Sequence, residues 1–259
     1  MHELPLVIFT VLSQTAVGAF VLLLIANKLS HISDRQLAVG LFASMCLFGV
    51  GMLASMTHLG QPVRAFNVLS GIGRSPMSNE VLFAALFAAF GGLSSLLLVL
   101  NKGPKGLLQL IAALGGLIGL GFVFAISNVY HIATVATWAN DFTMINMMLT
   151  VLIGGGAFAA LFGAVRLGSL ISAVAIIASL ALKPGYFSEI WAADSALSSA
   201  QISWFTVQFA LLAVGLMLAS LISAKRCECK LPIVTCAAAV VIAELCGRIA
   251  FYNLWVIAM

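Results

Sequence analysis

Charge is what this sequence has least of. Asp, Glu, Lys and Arg together make up 8% of its 259 residues, against about 25% in a soluble domain. A water-soluble globule of this size could not cover its surface with so few charges. Soluble enzymes, nucleic-acid binders and disordered chains are excluded on that ground. Cysteine is also too sparse for a disulfide framework. Of the five, Cys46, Cys236 and Cys246 lie in apolar runs, while Cys227 and Cys229 flank Glu228. No C-x-x-C or ferredoxin-like run is present, so the chain is not expected to hold an iron–sulfur cluster. Two thiols in a loop also fall short of the four ligands of tetrahedral zinc. The first residues, MHELPLVIFT, lack a basic n-region and an A-x-A cleavage site. The first apolar run is therefore expected to be a retained span.

What is abundant is apolar sequence: 63% of residues are hydrophobic, and the mean hydropathy is +1.16. A bilayer core takes about 20 mostly apolar residues per helix. Runs of that kind fall at 6–26, 37–57, 81–100, 107–127, 142–165, 167–182, 202–223 and 232–257. The fold class is an all-α, polytopic integral membrane protein, a bundle of eight transmembrane helices. Residues 1–259 read as a single membrane-anchor domain without a soluble module. The sixth span is short, and only Arg166 separates it from the fifth, which predicts a tight hairpin there.

Lys and Arg concentrate in alternate loops. One side holds Lys28, Arg35, Lys102, Lys105, Arg166, Lys225, Arg226 and Lys230; the other holds Arg64, Arg74 and Lys183. The positive-inside bias puts the richer side in the cytoplasm and both termini outside. Gly91-Gly92, Gly115-x-x-x-Gly119 and Gly154-Gly155-Gly156 are assigned to close helix packing.

Polar groups that are costly in lipid carry the functional information. Glu244 and Arg248 lie deep in the last span, four residues apart on one helix face. A self-neutralising ion pair and the lining of a headgroup or proton path both fit that spacing. The second unusual region is the outer loop SMTHLGQPVRAFNVLSGIGRSPMSNE, residues 55–80. His58 stands at the end of one span and Glu80 at the start of the next, with Pro62 and Gly71-x-Gly73 breaking the helix between them. An imidazole and a carboxylate at a membrane edge can each accept a proton near neutral pH. Arg64 or Arg74 could hold an anionic or carbonyl oxygen. Interfacial hydrogen bonding by His58, and a simple helix-start preference of Glu80, explain the same residues without function. Haem ligation calls for histidines in suitable places. Of His2, His31, His58 and His131, only His58 and His131 fall at the outer ends of spans.

The loop is also where the sequence becomes recognisable. HELPLVIFT with Gln14 and Gly18, GMLASMTHLGQPVRAFN, SNE at 78–80 and ELCGRIAFY at 244–252 together resemble the DmsC/YnfH family. These are membrane-anchor subunits of dimethyl sulfoxide reductase and related molybdoenzymes. The resemblance runs from the first span to the last, and HLG-x-P-x-RAFN is its most specific piece. It implies eight spans with both termini periplasmic, in the bacterial inner (cytoplasmic) membrane. It implies menaquinol as the bound substrate, oxidised near the periplasmic face in anaerobic respiration, with no haem or iron–sulfur cluster in this chain. Electrons would pass to a ferredoxin-like four-cluster iron–sulfur subunit and then to a molybdopterin catalytic subunit. The functional histidine of the family's HLG motif matches His58, and the acid after Ser-Asn matches Glu80.

The combined reading is a quinol-oxidising anchor in the lipid bilayer, with no nucleic-acid partner. His58 and Glu80 bind quinol and accept its protons, Arg64 positions the headgroup or docks the partner, and Glu244 and Arg248 support the cavity from the last helix. A small-solute transporter built on Glu244 and Arg248, a b-type cytochrome anchor and a purely structural tether are the alternatives. The segments around Trp138 and Asp141 match nothing in the family, which leaves the terminal acceptor open.

Overall fold

The structure is a computed structural model and describes residues 3–58, 67–68, 70–226 and 229–255. Within them the regular elements are helices: α1 (Leu4–Lys28), α2 (Asp34–Met56), α3 (Pro76–Val99), α4 (Lys105–Tyr130), α5 (Asp141–Leu161), α6 (Val165–Ala193), α7 (Ser195–Ala200), α8 (Ile202–Ser223) and α9 (Lys230–Asn253). All but the six-residue α7 are long and apolar enough to cross a bilayer, which gives eight candidate spans. Leu53, Leu110 and Leu117 point outward at 66%, 67% and 67% exposure. Such leucines are at home against acyl chains and not against water. The chain is a multi-pass membrane protein.

Local chemistry starts the helices where the apolar runs begin. Ser33 caps α2 through a reciprocal box, its hydroxyl accepting from Gln36 N at 3.3 Å while its own N–H donates to Gln36 Oε1 at 2.9 Å. Asn140 caps α5 by accepting from Thr143 N at 3.2 Å, and Asp194 caps α7 from Leu197 N at 2.9 Å. Pro5 and Pro76 sit in the first turns of α1 and α3, where a missing N–H costs nothing.

The helices pack as two groups of four. In the first, α1 lies against α2 and α4, α2 against α3, and α3 against α4. In the second, α5 lies against α6 and α9, and α8 against α6 and α9. The groups meet where α1 packs on α5 and α9 and where α4 packs on α5. Glycine permits those crossings. A Cβ on Gly155 would sit 2.6 Å from the Gly18 backbone, and one on Gly115 would sit 3.0 Å from Gly91 N. Gly154 faces Thr15 and Gly156 faces Gly168, so the triple glycine serves three neighbours at once. A Cβ on Gly92 would meet nothing within 4 Å among the described residues.

One end of the molecule gathers the starts of α1, α3, α5 and α8 and the ends of α2, α4, α6 and α9. It is called the terminal face here, and the opposite end, with Lys28, Arg35, Lys105, Arg166 and Lys230, the basic face.

Two boundaries differ from the sequence reading. The sixth span is not short: α6 runs for 29 residues and carries Lys183 and Pro184 inside it. Lys183 is therefore no loop residue, and it is only 5% exposed. Its ammonium donates to Gln208 Oε1 at 3.2 Å and lies 5.3 and 5.7 Å from the Tyr186 and Phe205 ring centroids. Those partners make burial tolerable. Removing Lys183 from the terminal face sharpens the charge asymmetry between the two ends. Arg166 lies in the first turn of α6 and not in the hairpin, which is closed by Gly163 at φ +107°. The last two residues of the expected final span, 256 and 257, fall outside the described residues.

Candidate functional site

Two polar regions stand out, one at the terminal face of the first helix group and one inside the second. The first contains His58 and Glu80. His58 follows the last residue of α2 and its capping Thr57, and its N–H donates to Ser55 O at 3.1 Å. Its Nε2 lies 3.7 Å from Glu3 Oε2, with the imidazole 40% and the carboxylate 28% exposed. The start of α1 thus supplies the neighbour that keeps the ring at this edge. The sequence reading gave Glu3 no role.

Glu80 belongs to the second turn of α3. The two residues before it have structural tasks. Asn79 Oδ1 accepts from Gly73 N at 2.7 Å and ties the preceding turn to the helix. Ser78 is buried, and its Oγ would lie 2.5 Å from a Cβ on Gly71. Glu80 is half-buried, and among the described residues no basic side chain comes within ion-pairing distance of it. Its carboxylate is within electrostatic reach of the Tyr130 and Tyr252 phenols.

Those two tyrosines were not flagged from the sequence. Their rings meet edge to face at 5.3 Å, and Trp138 braces both at 5.8 and 6.0 Å. Trp138 is fixed in turn. Its Nε1 donates to Phe251 O at 2.9 Å, its ring stacks on Phe251 at 4.7 Å, and neighbouring Thr137 donates to Leu254 O at 2.7 Å. The segment between α4 and α5 therefore clamps the end of α9 beside Glu80. The Tyr252 hydroxyl is buried and makes no hydrogen bond of good geometry, although the Tyr130 and Thr10 hydroxyls are close.

His58 and Glu80 share the terminal face, but among the described residues no hydrogen bond or ion pair joins them. Arg64 lies outside the described residues. Arg74 folds back on its own turn, donating to Ser70 O at 3.1 Å.

The second region holds Glu244 and Arg248, each 6% exposed. The direct ion pair that their spacing allows is absent at contact distance among the described residues. Each reaches to another helix instead. Thr150 of α5 donates to Glu244 Oε2 at 2.6 Å and accepts from an Arg248 Nη at 3.0 Å. That same Nη donates to Gln14 Oε1 of α1 at 2.8 Å. Lys183 joins from α6, within electrostatic reach of both charges. Gly247 leaves the space that the Gln208 amide fills on its way to Lys183. Together these groups line a cavity of about 40 Å³. That is room for one or a few waters. Glu244 Oε1 and Thr143 Oγ1 line it without a hydrogen-bond partner.

The structure thus brings Glu244 and Arg248 together with Lys183, Thr150, Gln14 and Gln208, and not with His58. Tyr252, one helical turn beyond Arg248, is the link to the Glu80 corner. Gln14 and Gln208 carried a usable signal, since each is an amide inside an apolar run. Among the described residues no three His, Cys, Asp or Glu side chains converge as a metal site.

Comparison with known proteins bears on this arrangement. The sequence model of the family described as DMSO reductase anchor subunit (DmsC) matches residues 1–254. The chain is 44% identical over 184 residues to the YnfH chain of anaerobic dimethyl sulfoxide reductase from Escherichia coli K12, covering 70% of this chain and 65% of that one. It is 40% identical over 157 residues to the C subunit of the anaerobic dimethyl sulfoxide reductase of Haemophilus influenzae Rd, covering 60% and 56%. With the C subunit of the E. coli K12 enzyme the identity is 33% over 275 residues, covering 98% and 95%. The chain spans less than two thirds of the first two relatives and nearly all of the third.

Proposed function

The chain belongs to the DmsC family of dimethyl sulfoxide reductase anchor subunits, and on that premise we propose that it oxidises menaquinol at its terminal face for a dimethyl sulfoxide reductase-type complex. The complex sits on the bacterial inner membrane, and the terminal face is the periplasmic one by the positive-inside bias. The observation that carries the reading is Glu80: a half-buried carboxylate without a basic partner among the described residues, beside two phenols, on the same face as His58.

Menaquinol loses two electrons and two protons in becoming menaquinone. The protons need acceptors within hydrogen-bond reach of the two hydroxyls. His58 takes one, with Glu3 positioned to stabilise the imidazolium that results. Glu80 takes the other, and the Tyr130 and Tyr252 hydroxyls surround it with dipoles. Both acceptors lie at the terminal face, so both protons leave to the periplasm. The two electrons leave through the nearest cluster of a ferredoxin-like iron–sulfur subunit and continue to a molybdopterin subunit. Arg64 holds the headgroup or docks that partner, a role assigned on the family motif alone. Glu244 and Arg248 support the site indirectly, through α9 and Tyr252.

The test uses the assembled complex, with quinol-driven electron flow as the readout. His58→Ala and Glu80→Gln are each expected to lower turnover by about 100-fold or more, the usual worth of a positioned proton acceptor, without loss of assembly. A fluorescent menaquinol-site inhibitor should bind wild type at one saturable site and lose that binding in His58→Ala. Wild-type turnover and inhibitor binding in an assembled His58→Ala complex would overturn the assignment.

A further inference from the structure

A groove of about 560 Å³ opens at the basic face, on the seam between the two helix groups. The start of α2 forms one wall with Arg35 and Val39, and the start of α9 forms the other with Lys230, Ile233 and Val234. The α5–α6 turn, with Phe162 and Gly163, forms its floor. The walls are apolar, while the mouth is cationic. Among the described residues no acidic side chain lines it. The nearby carboxylate, Asp34, is engaged with Lys105 at 3.7 Å.

Both cations have bonding capacity left. Arg35 makes one long hydrogen bond, from Nη1 to Val99 O at 3.4 Å, which leaves most of a five-donor guanidinium available. The Lys230 ammonium has no hydrogen bond or ion pair among the described residues. Two helices also begin here, α6 at Val165 and α9 at Lys230, and neither has a side-chain cap. Both helix dipoles present a positive end to the mouth.

We propose that this groove binds one anionic phospholipid from the leaflet at the basic face. The phosphate would sit between Arg35 and Lys230 near the two helix starts, and an acyl chain would lie along Val39, Ile233 and Val234. Charge selects the occupant. A second copy of this chain would bring its own cationic mouth to the groove, and a zwitterionic lipid would add a choline or ethanolamine cation to it. The bound lipid joins α2 of the first group to α9 of the second. It needs no change in the quinol chemistry at the opposite face.

Native mass spectrometry of the detergent-purified complex tests this, with phosphatidylglycerol and phosphatidylcholine of matched chains as probes. One phosphatidylglycerol should be retained at saturation, and phosphatidylcholine should not replace it. Arg35→Gln/Lys230→Gln should weaken retention by about 30-fold, as expected for two cations at a membrane surface. Arg35→Lys/Lys230→Arg, which keeps the charge, should retain the lipid and controls for misfolding. Equal retention by the neutralised and wild-type chains, or of the two lipids, would overturn the proposal. So would a dimer of this chain that excludes lipid.

Discussion

Thr150 stands between a carboxylate and a guanidinium that share a helix face without touching. Its single hydroxyl proton goes to Glu244 Oε2 at 2.6 Å, and its oxygen accepts from Arg248 at 3.0 Å. Thr150→Val keeps the shape and removes both of these bonds, together with the one the hydroxyl makes to Asn146 O at 3.1 Å. It should cost about 1–3 kcal/mol, the penalty of leaving buried charged groups short of a partner, seen as a lower unfolding temperature in detergent. Thr150→Ser should recover most of the loss. Tyr252 makes the opposite case. Its buried hydroxyl has no well-formed bond, so Tyr252→Phe should leave stability within about 0.5 kcal/mol of wild type. If the phenol serves Glu80, quinol turnover falls while the melting curve stays; unchanged turnover would remove Tyr252 from the site. At this scale the sequence was only partly legible. His58 and Glu80 were visible because a motif and a costly position coincided. Tyr130 and Tyr252 were not, because aromatic residues near span ends ordinarily sit at the interface, and only folding shows which carboxylate they face.

At the scale of elements, hydropathy located the spans because lipid leaves the backbone no alternative to helix. It failed once, at Lys183-Pro184-Gly185. A lysine, a proline and a glycine in a row have the composition of a loop. In α6 each finds a local answer: Lys183 is met by Gln208 and two rings, and Gly185 makes room for Phe142. That compensation comes from other helices, and no window of sequence contains it. Glycines separate in the same way. Gly18→Val would drive a side chain into the Val151 backbone and should part α1 from α5, abolishing recovery of folded chain. Gly92→Ala meets nothing within 4 Å and should raise stability by up to about 1 kcal/mol through helix propensity. Paired thermal melts would distinguish them. Similar losses in both variants would mean that Gly92 packs against something outside this chain.

For the whole molecule, the asymmetry between faces makes orientation testable. Cys229 is exposed beside Lys230 at the basic face. In a variant keeping Cys229 as its sole cysteine, a membrane-impermeant maleimide should label inverted vesicles and spare intact spheroplasts. Labelling of intact spheroplasts would reverse the topology and move the His58 and Glu80 face to the cytoplasm. The division of labour between halves was not legible in advance. Sequence order suggests eight successive spans; the packing instead places His58 and Glu80 on one four-helix group and the buried charges inside the other. The two are coupled chiefly through α1, which packs on α5 and hydrogen-bonds to α9 through Gln14.

That coupling sets a timetable for biogenesis. A membrane chain is delivered from its N-terminus, so α1 enters the bilayer with Gln14 long before its partner exists. Arg248 lies 234 residues later, on α9. Until then the Gln14 carbonyl waits at a seam that the packing of α1 on α5 has closed only in part. Ribosomes stalled before α9 would therefore hold an open intermediate, marked for membrane proteases by an amide that has not met its guanidinium. Packing of α1 on α5 begins the seam, and the arrival of α9 finishes its polar part.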